Sequence, residues 1–329
     1  MRYSRRDVLK LGAGAGAALI FGRDLPALTA AEFRQQLLMR TIPKSGEQIP
    51  AVGLGTATTF MAQSRTPSEH AEIREVIRLF TELGGSVIDT APTYQESEVL
   101  VGQLVREVGN ADRIFMATKI SSAGGRGGRG RFDHAAGLAQ FRESQRRLAP
   151  MKISLGQLHN PVQFDWQQHL PILREAKQAG TIRYLGVTTS RDPEYERFAQ
   201  ILRTEDLDFV QFDYAVDNRN VEQTLLPVAK DRGLGVVVNM PFGGLGSRSS
   251  RNLFARTAGR ELPDFAKPWA NSWAQSFLKW ILAEPAITVV VPATTDPGHL
   301  RDNVGAGLGR LPDANERKQL ADYVDALPA

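Results

Sequence analysis

Apolar and polar positions along the chain alternate between two rhythms. Short apolar, β-branched runs suited to buried strands fall at 51–55, 87–90, 114–119, 155–159, 184–188, 209–212, 236–240 and 288–292. Between them, apolar residues recur at three- and four-residue spacing over 69–83, 98–108, 135–148, 166–179, 194–202, 221–232 and 272–282, the pattern of amphipathic helices. Several of these segments end near a glycine (Gly84, Gly109, Gly180, Gly233), the residue that most easily takes the left-handed turn closing a helix. Eight strand–helix units over roughly 260 residues predict an α/β chain folded as a single-domain (β/α)8 TIM barrel. A doubly wound open sheet would also alternate in this way. Its Gly-x-Gly-x-x-Gly turn is missing, because Gly53-Leu54-Gly55-Thr56 lacks the third glycine. A last helix at 314–327 is expected to pack outside the barrel.

Composition changes this picture only at the N-terminus. The 329 residues are 42% hydrophobic and 23% charged, an ordinary globular balance. The formal net charge is +4, of which +3 lies in residues 1–30, where Arg2, Arg5, Arg6, Lys10 and Arg23 outnumber Asp7 and Asp24. The body carries little net charge, so no nucleic-acid partner is expected. Ser4-Arg5-Arg6-Asp7-Val8-Leu9-Lys10 is followed by a Gly/Ala-rich apolar run from Leu11 to Phe21, then by Pro26-Ala27-Leu28-Thr29-Ala30-Ala31. This basic, apolar, small-residue order resembles a twin-arginine export signal. The apolar run is shorter than the ~20 residues that span a bilayer. Residues 1–30 are therefore expected to be a signal peptide, cut after Ala30 or Ala31, with 40–329 as the barrel. The implied partner is the twin-arginine export machinery. The implied location is the periplasm, without stable membrane insertion after processing. There is no cysteine, which excludes disulfides and thiolate chemistry.

Residues 86–98 carry the densest chemistry. Val87-Ile88 reads as a buried strand, and Asp89 stands where it should end. A Pro-containing turn then delivers Tyr94, and Ser97-Glu98 open a helical pattern. Chemistry on parallel α/β folds sits at the carboxyl ends of the strands, so Asp89 and Tyr94 belong to the active face. Lys119 ends the run from Ile114 and His159 ends Leu155-Gly156-Gln157-Leu158. Asp-Thr-Ala-x-x-Tyr-x-x-Ser-Glu resembles the second strand–helix loop of the aldo-keto reductase family. That resemblance extends from Val52 to about Asn303 and implies a catalytic tetrad of Asp89, Tyr94, Lys119 and His159. It implies reduction of a small aldehyde or ketone to an alcohol. No side chain can give hydride, so a nicotinamide must. Tyr94 would be the proton donor, with Lys119 easing its ionisation and Asp89 pairing with Lys119. A neutral His159 would orient the carbonyl oxygen.

The same resemblance implies a cofactor site. Gly55 and Thr56 would lie beside the nucleotide, as would Asp89. Gly186-Val187-Thr188-Thr189 stands where the family has Gly-Val-Ser-Asn, so Thr188 keeps a hydroxyl and Thr189 loses an amide. Gln211 matches the glutamine that completes carboxamide binding. Asn239-Met240-Pro241-Phe242-Gly243 replaces Tyr-Ser-Pro-Leu-Gly, so the stacking tyrosine becomes Asn239, and Met240, Phe242 and Gly243 would border the cofactor. Val291-Pro292-Ala293-Thr294, then His299 and Asp302-Asn303, replace Ile-Pro-Lys-Ser, Arg and Glu-Asn. Pro292, Ala293, Thr294, His299 and Asn303 are thus implied adenosine contacts, but two cations that commonly clamp a 2′-phosphate are missing; Arg301 is the nearby substitute. The implied cofactor is NADPH or NADH. The family favours NADP, and the lost cations narrow that preference.

A nucleotide-binding or sensing subunit on the same barrel, with little turnover, is the alternative function. The altered nicotinamide site favours that alternative, and the complete tetrad favours the enzyme. A glycosidase needs paired carboxylates at strand ends, which do not recur here. The five histidines show no metal-ligand spacing. Two insertions stand out: 124–131 (Gly-Gly-Arg-Gly-Gly-Arg-Gly-Arg), of a composition that can bind RNA or acidic partners but in a barrel reads as a flexible surface loop, and 243–263, which suits either a mobile loop over a phosphate-bearing ligand or a plain solvated loop. The aromatic residues Phe60, Trp166, Phe242 and Trp269 hint at an apolar pocket.

Overall fold

The computed structural model describes residues 28–61, 66–121, 134–163, 166–244 and 252–328. The twin arginines and the Arg/Gly-rich insertion at 124–131 lie outside the described residues. An antiparallel hairpin, β1 (Met39–Thr41) and β2 (Gln48–Pro50), precedes eight parallel strands. These are β3 (Leu54–Gly55), β4 (Val87–Asp89), β5 (Phe115–Ser121), β6 (Ile153–His159), β7 (Tyr184–Thr188), β8 (Phe209–Asp213), β9 (Gly235–Asn239) and β10 (Val289–Val290). They lie side by side in chain order. Parallel bridges from Val52 to Val290 and from Gly55 to Ala293 join the first strand to the last and close the barrel. Gly55 is required at this seam, since a Cβ there would lie 2.6 Å from the Val291 carbonyl oxygen. The regular parts of β3 and β10 are two residues each, against the five expected, because closure runs through isolated bridges instead of a continuous ladder.

Helices cover the outside: α1 (Ala30–Gln36), α2 (Pro67–Glu82), α3 (Ser97–Val108), α4 (His134–Leu148), α5 (Leu170–Gln178), α6 (Tyr195–Thr204), α7 (Leu225–Asp231), α8 (Leu253–Arg256), α9 (Trp273–Leu282), α10 (Pro297–Gly305) and α11 (Ala314–Asp325). In α2, Thr66 and Glu69 form a capping box, and Ile73, Val76, Ile77 and Phe80 make the buried stripe facing the strands. The expected helices at 166–179 and 221–232 each begin as a short 3-10 turn and become α-helical near Pro171 and Pro227, residues that a first helical turn accommodates. The last helix, α11, docks on α9, with indole Nε1 of Trp280 donating to the Arg317 carbonyl at 2.9 Å. Helix α1 begins where the leader was expected to end. Thr29 caps it, Phe33 and Leu37 are buried against the body, and Arg34 donates to the Glu82 carbonyl at 3.1 Å. No described helix is long and apolar enough to cross a membrane.

Strand periodicity sorts the barrel interior into layers. Val87, Phe115, Ala117, Leu155, Tyr184, Phe209, Val237 and Val289 point inward as one apolar cluster, sealed from below by Ile42 and Ile49 of the hairpin. Further along the same strands the inward positions become Asp89, Lys119, Gln157 and Gln211. The floor is therefore dry and packed, and the polar chemistry begins directly above it.

Candidate active site

The loop from β4 to α3 is held by a chain of buried hydroxyls. Thr56 Oγ1 donates to the Asp89 carbonyl at 3.0 Å, Ser97 Oγ donates to Thr56 Oγ1 at 2.8 Å, and Thr90 Oγ1 lies 3.0 Å from Ser97 Oγ. Glu98 is buried beneath this loop, accepting from Thr118 Oγ1 at 2.7 Å and pairing with Arg147 at 3.4 Å. Burial raises its carboxyl above the usual range, against the pull of Thr118, Ser144 and Arg147. Thr90, Ser97 and Glu98 are thus the scaffold of the signature. Asp89 and Tyr94 are its candidate catalytic residues, and Gln95, in the left-handed region at φ 48°, helps turn the chain between Tyr94 and α3.

Lys119 and Asp89 form an ion pair only 1% and 4% exposed. The Lys119 ammonium donates to both Asp89 oxygens at 2.8 Å and to the Thr90 carbonyl at 2.8 Å. Burial alone would favour neutral lysine, but Asp89 and Tyr94 outweigh it and hold the lysine pKa above its ordinary value. The ammonium lies 5.2 Å from the centre of the Tyr94 ring. Burial raises the Tyr94 phenol above its usual pKa; Lys119 opposes this by charge and hydrogen bonding, and Asp89 adds to it. The phenol therefore stands protonated at neutral pH. The Tyr94 and His159 rings meet edge to face, 6.2 Å apart. Burial, with Lys119 nearby, pushes the His159 imidazole down to about 3, so it is neutral under ordinary conditions.

These groups stand at the wall of a cavity of about 830 Å³ at the carboxyl ends of the strands. Asp89, Tyr94 and His159 line it, with Lys119 directly beneath. Of the expected cofactor residues, Gly55, Thr56, Thr188, Thr189, Met240, Phe242, Gly243 and Ala293 also line it. Gln211, Pro292, Thr294, His299 and Asn303 are not on this wall. Gln211 is buried and turned to Asp89, donating to Oδ2 at 3.2 Å. The Thr294 hydroxyl accepts from the Asp296 amide at 3.0 Å, and His299 is exposed in the first turn of α10. Phe60 and Trp269 are core residues, whereas Phe242 borders the cavity and packs on Phe254, ring centres 4.8 Å apart. The expectations placed no role on Gln157 or Asn160. Asn160 follows His159 with φ 51°, a conformation asparagine tolerates, and lines the cavity. The buried Asn160 Oδ1, Thr189 Oγ1 and Asn239 Oδ1 have no hydrogen-bond partner among the described residues. Leaving such atoms unpaired costs about 1–3 kcal/mol each, and all three belong to residues that line the cavity.

Comparison with known proteins decides the family. The sequence profile described as "Aldo/keto reductase family" matches residues 51–319. The chain belongs to the aldo/keto reductase family. Aldo-keto reductase YhdN of Bacillus subtilis (strain 168) is 26% identical over 287 residues, covering 79% of this chain and 86% of that protein. The NADH-specific methylglyoxal reductase of Escherichia coli (strain K12) is 26% identical over 327 residues, covering 84% and 96%. Among solved structures, aldo-keto reductase AKR11C1 from Bacillus halodurans in its holo form superposes with TM-score 0.68 at 21% identity, covering 88% of this chain and 96% of that one. The aldo-keto reductase from Klebsiella pneumoniae in complex with NADPH gives TM-score 0.68 at 22% identity, covering 88% and 95%. The superpositions agree with the (β/α)8 barrel, so this aldo/keto reductase has the architecture its strand pattern predicts.

Proposed function

We propose that this protein reduces a small aldehyde or ketone to an alcohol, with Tyr94 as proton donor and a reduced nicotinamide nucleotide in the cavity. The observation that carries the reading is the assembly of Asp89, Lys119, Tyr94 and His159, from three strands and one loop, at a single cavity wall. The nucleotide, when bound, supplies the hydride. The Tyr94 hydroxyl gives its proton to the carbonyl oxygen as charge builds there. The Lys119 ammonium stabilises the phenolate that remains, and Asp89 keeps that ammonium in place. Neutral His159 has an N–H with which to hold the carbonyl oxygen. Thr188, Thr189, Asn160 and Asn239, which line the cavity, would offer polar groups to a nicotinamide carboxamide.

By the family resemblance, Ala293 and His299 stand in place of the two cations that commonly clamp a 2′-phosphate. The advantage of NADPH over NADH is therefore small. This accords with the similar methylglyoxal reductase being called NADH-specific. Purified protein should bind both reduced nucleotides in a fluorescence titration with affinities within about tenfold, or ~1.4 kcal/mol. It should oxidise them in the presence of some member of a carbonyl panel that includes methylglyoxal. Binding without turnover across a broad panel would sink the enzyme reading, and a hundredfold preference for NADPH would sink the cofactor reading. We further propose twin-arginine export to the periplasm, resting on Arg5-Arg6 and the apolar run after them. Arg5→Lys with Arg6→Lys should trap the precursor in the cytoplasm; normal periplasmic accumulation would refute it.

A further inference from the structure

Gln157 lies in the barrel layer between the apolar floor and the cavity, fully buried, where the reaction as described gives it no task. Its Nε2 donates to Gln211 Oε1 at 2.9 Å and reaches Asp89 Oδ1 at 3.4 Å. Gln211 Nε2 in turn donates to Asp89 Oδ2 at 3.2 Å. Space for this side chain comes from β7, where Gly186 faces it: a Cβ on Gly186 would lie 3.3 Å from Gln157 Cγ. The arrangement is costly, because Gln157 Oε1 is buried without a partner among the described residues. An apolar residue, like Leu155 two positions earlier, would avoid that cost.

We propose that Gln157 is a positioning residue for proton transfer, donating with Gln211 to the Asp89 carboxylate that also holds Lys119. The inference rests on Tyr94 being the proton donor. The titratable groups around that phenol are Asp89 from β4, Lys119 from β5 and His159 from β6. His159 is neutral, so the balance is set by the other two. Lys119 favours the phenolate and Asp89 disfavours it. Amide donors on Asp89 withdraw part of its field, leaving Lys119 the stronger influence. They also fix the Asp89 rotamer, and with it the ammonium that must sit beside the phenol.

Gln157→Met keeps the length of the side chain and removes its donor. The pH profile of kcat/KM should then move: the limb reporting phenol ionisation rises by half a pH unit or more. Turnover at neutral pH should fall threefold or more, while nucleotide affinity stays within twofold and thermal stability is unchanged or higher. A profile that superimposes on wild type, with or without a lower melting temperature, would overturn the proposal and leave Gln157 a packing residue. If Gln157→Met does not fold, Gln211→Met reads the same network from its other end, and an unmoved profile there is equally fatal. Tyr94→Phe run in parallel separates the two layers of the argument. Full turnover in that variant removes the proton-donor reading and this inference with it. Loss of turnover there, beside an unmoved Gln157→Met profile, removes this inference alone.

Discussion

Removing the ammonium by Lys119→Met tests the ion pair at the base of the site. Deleting one partner of a buried pair typically costs about 3–5 kcal/mol, because the other charge is left uncompensated. Three hydrogen bonds of 2.8 Å disappear with it, two to Asp89 and one to the Thr90 carbonyl. Asp89 is not left bare, however, since Gln157 and Gln211 still donate to it at 3.4 and 3.2 Å. The loss should therefore fall at the lower end, about 3 kcal/mol, or roughly 4 °C in melting temperature for a chain of this size. Chemical denaturation followed by circular dichroism reads it directly. The double variant Lys119→Met, Asp89→Leu removes the stranded charge and should regain at least half of the loss. A single variant as stable as wild type would show that the pair contributes nothing. A double variant less stable than the single would show that burial of Asp89 was never the source of the cost.

The other expectations concern protonation and packing. His159 should remain neutral, its ring signals unchanged in NMR from pH 8 to pH 4; titration near pH 6.5 would contradict the burial argument. Because its pKa is depressed to about 3 in the fold, the unfolded chain takes up a proton that the fold does not between 6.5 and about 3. Its contribution to stability is thus complete above pH 6.5 and declines as pH falls through that window. His159→Gln should flatten that decline in a pH series of denaturant midpoints, and an unchanged slope would contradict it. Gly55→Ala forces a methyl group to 2.6 Å from the Val291 carbonyl at the barrel seam. It should cost about 1–3 kcal/mol in urea unfolding, and an unmoved midpoint would mean the seam is not closed as described.

The barrel was legible in the sequence because each parallel strand is buried on both faces and reads as a short apolar run. Asp89, Lys119 and His159 were legible for the same reason, each being a polar residue at the end of such a run. Two kinds of feature were not. Gln157 sits inside a run, where inward and outward positions cannot be told apart until the register is known: Gln157 pairs with Gly186 across β6 and β7, and that pairing shows the space it fills. Its partnership with Gln211, 54 residues away, leaves no local signal. Asn160 looks like an ordinary turn residue, and only its left-handed backbone and unpartnered oxygen mark it as part of the site. The implied adenosine contacts rest on residue-by-residue resemblance alone, and residue identity does not say which of them line the cavity and which, like His299, are exposed in a first helical turn.

Tyr94→Phe is the most direct test of proton transfer from the phenol. The substitution keeps the ring against His159 and Lys119 and removes only the transferable proton. General acid catalysis contributes roughly 10²–10⁴-fold, so single-turnover reduction of a carbonyl that the wild type accepts should slow by that factor. Nucleotide affinity should stay within about threefold, since the phenol acts on the carbonyl oxygen. Reduction at the wild-type rate in Tyr94→Phe, with nucleotide binding intact, would contradict the account.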